Sequence, residues 1–146
     1  MLQELIPFID RHPILSVTWV TLLIGVILTF IKNYFSKVKE IIPTEAILMM
    51  NKQQALVVDI RAKEEYKKSH IIGSINVEKN NFKNNKLHEL EKHKARPIII
   101  VCAHGISSLT FAKQLYKMDY QKIYSLKEGI SGWNKANLPL AKGKKK

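Results

Sequence analysis

The chain has 146 residues, 46% of them hydrophobic, and 24 lysines and arginines against 12 aspartates and glutamates give it a formal charge of +12. That length holds one domain and an appendage, and a single cysteine excludes an internal disulfide and any Cys-x-x-Cys redox or zinc pair. The positive charge is almost wholly lysine, with only Arg11, Arg61 and Arg96 beside it, which suits anionic lipid, RNA or small anions and excludes base reading by clustered arginine forks.

In chain order, residues 1–12 form a short head with Glu4, Asp10 and Arg11. Pro13 to Ile31 carries no charge over 19 residues. As a helix it would be roughly 28 Å long, about the hydrocarbon thickness of a bilayer. Lys32, Tyr34, Phe35, Lys37 and Lys39 follow at once, an interfacial belt with positive charge. A cleaved signal peptide fits poorly: the head is acidic as well as basic, the apolar run is long, and no small-x-small site follows. The expectation is a transmembrane helix over 13–31 and a basic juxtamembrane linker over 32–40. All but one of the basic side chains lie after Ile31, so the positive-inside rule puts the head outside and the rest in the cytoplasm, near anionic lipid.

From residue 41 to 140, strand and helix patterns alternate, which predicts an α/β domain with a mostly parallel sheet covered on both faces. Ile41-Ile42 reads as a short strand, and Thr44 after Pro43 as the cap of a helix through Asn51. Ala55 to Ile60 reads as a buried strand, Glu64-Glu65-Tyr66 as a short helix, and Ile71 to Val77 as one further strand around Gly73. The polar stretch Glu78 to Lys94 carries a helix near Leu87 and Leu90. Pro97 to Val101 is apolar and β-branched, as a buried parallel strand requires. After it, Leu109, Ala112, Leu115, Tyr116 and Met118 line one face of a helix. Lys122 to Leu126 supplies another strand, and Gly129, Ile130 and Trp133 begin a last short helix that ends near Asn137. Residues 141–146 read as a solvated lysine tail.

Between that strand and that helix lies Cys102-Ala103-His104-Gly105-Ile106-Ser107-Ser108. A cysteine at a strand-to-helix turn sits where backbone N–H groups converge and the helix's positive end points, both of which favour the thiolate, the nucleophilic form. Gly105 permits the positive φ that a tight cradle of amides requires. The alternative is a buried cysteine that ends a strand as a small hydrophobe, and the local pattern leaves both open.

Four ordered motifs carry a resemblance over about a hundred residues. Leu56-Val57-Val58-Asp59-Ile60-Arg61 resembles a strand ending in Asp-x-Arg. Glu64-Glu65-Tyr66 with Ser69-His70-Ile71-Ile72-Gly73-Ser74-Ile75-Asn76 is similar to a Glu-Phe, Gly-His-Ile-Pro-Gly-Ala-Ile-Asn segment. Ile99-Ile100-Val101-Cys102 and its loop are similar to an active-site strand and loop. Tyr124 to Ile130 with Trp133 resembles a closing Leu-x-Gly-Gly-x-x-x-Trp signature. Together they resemble a single rhodanese-like (sulfurtransferase) domain, and with the leading helix the membrane-anchored bacterial type. Ser69, Ile72 and Glu128 depart from the pattern at backbone-shape positions, which are expected to lie away from the nucleophile.

The resemblance implies sulfane-sulfur transfer through a Cys102 persulfide, with a thiosulfate or persulfide donor, a thiophilic acceptor and no cofactor. The amides of residues 103–107 are expected to hold the thiolate and persulfide. Ser107 and Ser108 read first as helix caps, ahead of substrate contact, and His104 as a residue at the mouth or a free loop histidine. Residue 108 is serine where a Cys-x5-Arg phosphatase needs a guanidinium, so a phosphatase is set aside. Asp59 and Arg61 read as a structural clasp, and His70 as a satisfied structural histidine. His88 and His93 do not share a helix face, so no metal site is expected. The expected partners are the bilayer of a bacterial inner membrane, the two sulfur substrates and a membrane-side protein, with no sequence-specific nucleic acid. The competing reading is a non-catalytic binding module that recruits a partner to the cytoplasmic face.

Overall fold

The structure, a computed structural model, describes residues 12–34, 38–80 and 90–143. The chain divides into two units, Met1–Ser36 and Lys37–Lys146. In the first, helix α1 spans Pro13–Tyr34. It runs three residues past the charge-free stretch, since Lys32-Asn33-Tyr34 contains no helix breaker. Its Pro13–Ile31 span is long and apolar enough to cross a membrane and none of it is buried within the protein. Ile14, Trp19, Leu22 and Phe30 are all exposed. The hydroxyls of Ser16, Thr18 and Thr21 donate to the carbonyls four residues back at 3.0, 2.8 and 2.8 Å, so these polar groups find partners within the helix or, for Ser16, at the His12 carbonyl just before it. Length and composition fit a membrane anchor or a signal sequence alike.

The second unit runs β1 (Lys39–Ile41), α2 (Pro43–Gln53), β2 (Leu56–Asp59), α3 (Lys63–Lys68), β3 (His70–Ile71), β4 (Ile75–Asn76), β5 (Ile98–Val101), α4 (Ile106–Lys117), β6 (Ile123–Leu126), α5 (Gly129–Lys135) and β7 (Leu140–Ala141). Five strands form one sheet in the order β1-β6-β5-β2-β4, and every pairing in it is parallel. The two innermost apolar runs, β2 and β5, are buried at every position. Their period of two divides the core. Val57, Ile99 and Val101 pack with Ile41, Met49, Leu126, Ile130 and Trp133 on one face. Leu56, Val58, Ile98, Ile100 and, one residue past β5, Cys102 pack with Phe111, Ala112, Leu115 and Tyr120 on the other. Cys102 is thereby assigned to the face that α4 covers.

Several boundaries differ from the sequence reading. The expected linker over 32–40 is part helix and part sheet: α1 reaches Tyr34, Val38 is buried in the core, and Lys39 and Glu40 pair with Tyr124 and Ser125. Thr44 is exposed and caps nothing. Pro43 opens α2, where its missing N–H costs no bond, and the Glu45 carboxylate accepts the Ile42 N–H at 3.2 Å. Ile71 to Val77 is not one strand. Ser74 N–H donates to the Ile71 carbonyl at 3.0 Å around Gly73 at φ +77°, a turn that sends β3 and β4 into different sheets. β3 pairs antiparallel with β7, which reaches Ala141 inside the expected tail. The helix expected near Leu87 lies outside the described residues, as does His88, while Leu90 is fully buried.

Candidate active site

β5 ends at Val101 and α4 begins at Ile106, so the cysteine loop spans only the residues between a central strand and a helix's amino end. Gly105 is the N-cap of α4, with φ +92° and no side chain to cap with. The cysteine sulfur takes that acceptor's place. Gly105 N–H donates to Cys102 Sγ at 3.0 Å and Ser108 N–H, in the first turn, at 3.4 Å. A sulfur held by two main-chain amides at a helix's positive end is where negative charge is best accommodated. Cys102 is buried, with 6% of its surface exposed.

The amides on the sulfur are those of Gly105 and Ser108, where residues 103–107 were expected. Neither serine is a cap. The Ser108 side chain turns inward, fully buried: its hydroxyl lies 3.4 Å from Cys102 Sγ, donates to the Gly105 carbonyl at 2.8 Å, and is 2.9 Å from Ser125 Oγ. The sulfur already fills the capping position, which leaves the first turn's serine free for this inner role. Ser107 and Ala103 are half-buried, and His104 and Ile106 are exposed, Ile106 by 80%.

A second backbone layer presses on the loop from behind. Ile130 N–H donates to the Cys102 carbonyl at 2.9 Å and Ser131 N–H to the Ala103 carbonyl at 3.0 Å. Gly129, at φ +56°, makes this approach possible, because a Cβ there would lie 2.0 Å from the Cys102 carbonyl oxygen. Glu128 precedes it, also at positive φ (+57°), and its N–H group would stand 2.8 Å from a Cβ on Gly105. Glu128 therefore adjoins the cysteine loop through its backbone, contrary to the expectation that the departures from the motif lie away from the nucleophile. Its side chain is exposed, and a hydrogen bond and the charge of Lys135 hold its carboxyl below the ordinary value.

Asp59, which pairs with Val101 just before the cysteine, joins Arg61 in a hydrogen-bonded group, with His70 nearby just after the end of α3. Arg61 Nε donates to both Asp59 carboxylate oxygens at 3.0 and 3.1 Å, and Nη2 donates at 2.7 Å to the carboxylate and at 2.6 Å to the Ser69 carbonyl. Asn76 Nδ2 donates to the carbonyls of Asp59 and Arg61 at 3.0 and 2.9 Å. His70 stacks on the Tyr66 ring at 4.0 Å with Nδ1 2.8 Å from the Tyr66 carbonyl, and the Tyr66 hydroxyl donates to the Ser74 carbonyl. Among the described residues no cluster of His, Cys, Asp or Glu could hold a metal ion. Ser125 escaped the sequence reading, although a hydroxyl within Ile123-Tyr124-Ser125-Leu126 was the signal, since a polar atom in a buried strand needs a partner.

A sequence model of the family described as Rhodanese-like domain matches residues 42–136. The Escherichia coli (strain K12) uncharacterized protein YibN is 44% identical over 143 residues, 98% of this chain and 100% of that one. Thiosulfate sulfurtransferase GlpE of Haemophilus influenzae (strain PittEE) is 36% identical over 102 residues, 70% of this chain and 93% of that one. Among solved structures, a rhodanese-related protein from Thermoplasma volcanium superimposes with a TM-score of 0.60 at 25% identity, over 70% of this chain and 97% of that one.

Proposed function

Because the chain belongs to the rhodanese-like domain family, we propose that it is a membrane-anchored sulfurtransferase whose Cys102 carries sulfane sulfur from thiosulfate or a persulfide donor to a thiophilic acceptor. The observation behind this reading is the meeting of the Gly105 and Ser108 amides on one sulfur at the start of α4. A merely structural cysteine at the end of a strand has no need of two main-chain donors. The similarity to the GlpE sulfurtransferases supports the same chemistry.

In the first step the Cys102 thiolate attacks the outer sulfur of thiosulfate. The bond to the sulfonate sulfur breaks, sulfite leaves with its electron pair, and Cys102 becomes a persulfide anion. In the second, an acceptor such as cyanide attacks that outer sulfur, thiocyanate leaves, and the thiolate returns. Thiosulfate and cyanide become sulfite and thiocyanate with no outside oxidant or reductant. The amides serve both anions without rearranging, which is how a preorganised site lowers a barrier. The α1 helix serves as the single-pass anchor in a bacterial inner membrane, head outside and the sulfur-carrying unit in the cytoplasm, held near anionic lipid by its lysines. Its partners there are the bilayer and a membrane-side protein that supplies or takes the sulfur.

The test is thiocyanate formation by the full-length protein in detergent, from thiosulfate and cyanide. Wild type should turn over, and Cys102→Ser should fall to the uncatalysed rate. If wild type makes no thiocyanate from thiosulfate or from a cysteine persulfide, the recruiting-module reading replaces this one. For topology, a reporter active only in the periplasm, fused after Lys146, should stay silent.

A further inference from the structure

Beneath the cysteine lie two hydroxyl groups with no access to water. Ser108, on the first turn of α4, and Ser125, on β6, are each 0% exposed, and their oxygens are 2.9 Å apart. β6 lies between β1 and β5, and Ser125 is paired with Ile100 on one side and Glu40 on the other, so it cannot drift from this position.

A hydroxyl has one proton to give and two lone pairs to receive with. The Ser108 oxygen meets three partners: the Gly105 carbonyl at 2.8 Å, Cys102 Sγ at 3.4 Å and Ser125 Oγ at 2.9 Å. With Cys102 as a thiol, S–H donates to Ser108, Ser108 donates to the Gly105 carbonyl, and Ser125 is left as a donor to Ser108. With Cys102 ionised, its proton gone to a solvent base, the sulfur only accepts. The Ser108 proton can then swing from the carbonyl to the sulfur. The Gly105 carbonyl keeps the Leu109 N–H at 3.4 Å, so the swing leaves it with a partner. Ser125 is the donor to Ser108 in both states.

We propose that Ser125 is a positioning residue for Cys102: it holds the Ser108 oxygen in place while that hydroxyl turns between the Gly105 carbonyl and the sulfur, giving the ionised sulfur a third donor. The proposal rests on the reading of Cys102 as an ionised nucleophile. No bond to either serine oxygen breaks; one hydroxyl rotates.

The experiment measures the rate of Cys102 alkylation by iodoacetamide at neutral pH in the full-length protein, for wild type, Ser125→Ala, Ser125→Thr, Ser108→Ala and the double alanine variant, with thermal melts alongside. Ser125→Ala should slow alkylation about three- to tenfold, the worth of one hydrogen bond, and Ser125→Thr should restore it. Because Ser125 acts only through Ser108, the double variant should be no slower than Ser108→Ala, a non-additivity that unrelated structural damage would not produce. Should Ser125→Ala fail to fold, Ser125→Cys, close in size and a poor donor, takes its place with the same expected slowing, its alkylation read on the peptide that contains Cys102 because the variant carries a second thiol. A folded alanine or cysteine variant alkylated as fast as wild type overturns the proposal, as does additivity in the cycle. Persulfide formation, followed by intact mass on the same samples, separates the two claims: its absence in wild type counts against sulfur transfer, while the alkylation order alone judges Ser125.

Discussion

Single residues decide the shape of the site through backbone contact more than through side-chain chemistry. Gly129 is the clearest case, because the space its Cβ would need is occupied by the Cys102 carbonyl oxygen at 2.0 Å, and its φ is +56°. Gly129→Ala should cost about 2–5 kcal/mol, combining a left-handed residue with overpacking against backbone, and urea denaturation would measure it. Tyr120 is a different kind of residue problem. Its ring is buried under the Lys94 ammonium, 4.9 Å from the centroid, while its hydroxyl has no hydrogen-bond partner among the described residues. Burial, with the charge of Glu91 second, pushes its phenol above the ordinary 10.0. The folded chain therefore keeps this proton to higher pH than the unfolded one, so the stability involved is complete below the ordinary value and is lost as pH rises through the raised one. Tyr120→Phe should flatten that alkaline decline in a pH series of urea melts, and should add about 1 kcal/mol near neutrality by removing an unpaired buried hydroxyl.

At the scale of elements, the sheet was legible in the sequence and its seams were not. Runs such as Ile98-Ile99-Ile100-Val101 announce buried strands because nothing polar interrupts them, and the alternation of strand and helix patterns gave the parallel architecture. β7 is two residues long and borrows its identity from pairing with β3, a long-range contact that local composition does not encode. The capping reading of Ser108 failed for a related reason: a sulfur three residues before the glycine N-cap fills the capping position, and only the folded loop brings it there. A strand's carboxyl end by itself invites a catalytic reading of Asp59 and Arg61, and the Asp59–Arg61 clasp was the expectation because structural ion-pair networks produce the same pairing. It joins the end of β2 to the Ser69 carbonyl at the end of α3. The two side chains are 1% and 9% exposed, so removing one partner strands the other. Asp59→Ala should lose roughly 3–5 kcal/mol in chemical denaturation.

The whole molecule has two units: an apolar helix whose Ser16, Thr18, Thr21 and Thr29 hydroxyls are tied back to its own carbonyls or to that of His12 just before it, and a domain that puts one sulfur at the meeting of a central strand and a helix's amino end. Val38 and Lys39 belong to the second unit's core and sheet, so that unit begins before residue 40. The proposed function requires that Cys102 take up and hold a sulfur atom. The most direct measurement is the intact mass of the full-length protein after exposure to thiosulfate or a cysteine persulfide, in the absence of an acceptor. A gain of about 32 Da, one sulfur atom, is expected on the wild type, removed by cyanide and missing in Cys102→Ser. A folded wild type that alkylates at Cys102 yet gains no such mass from either donor would contradict it.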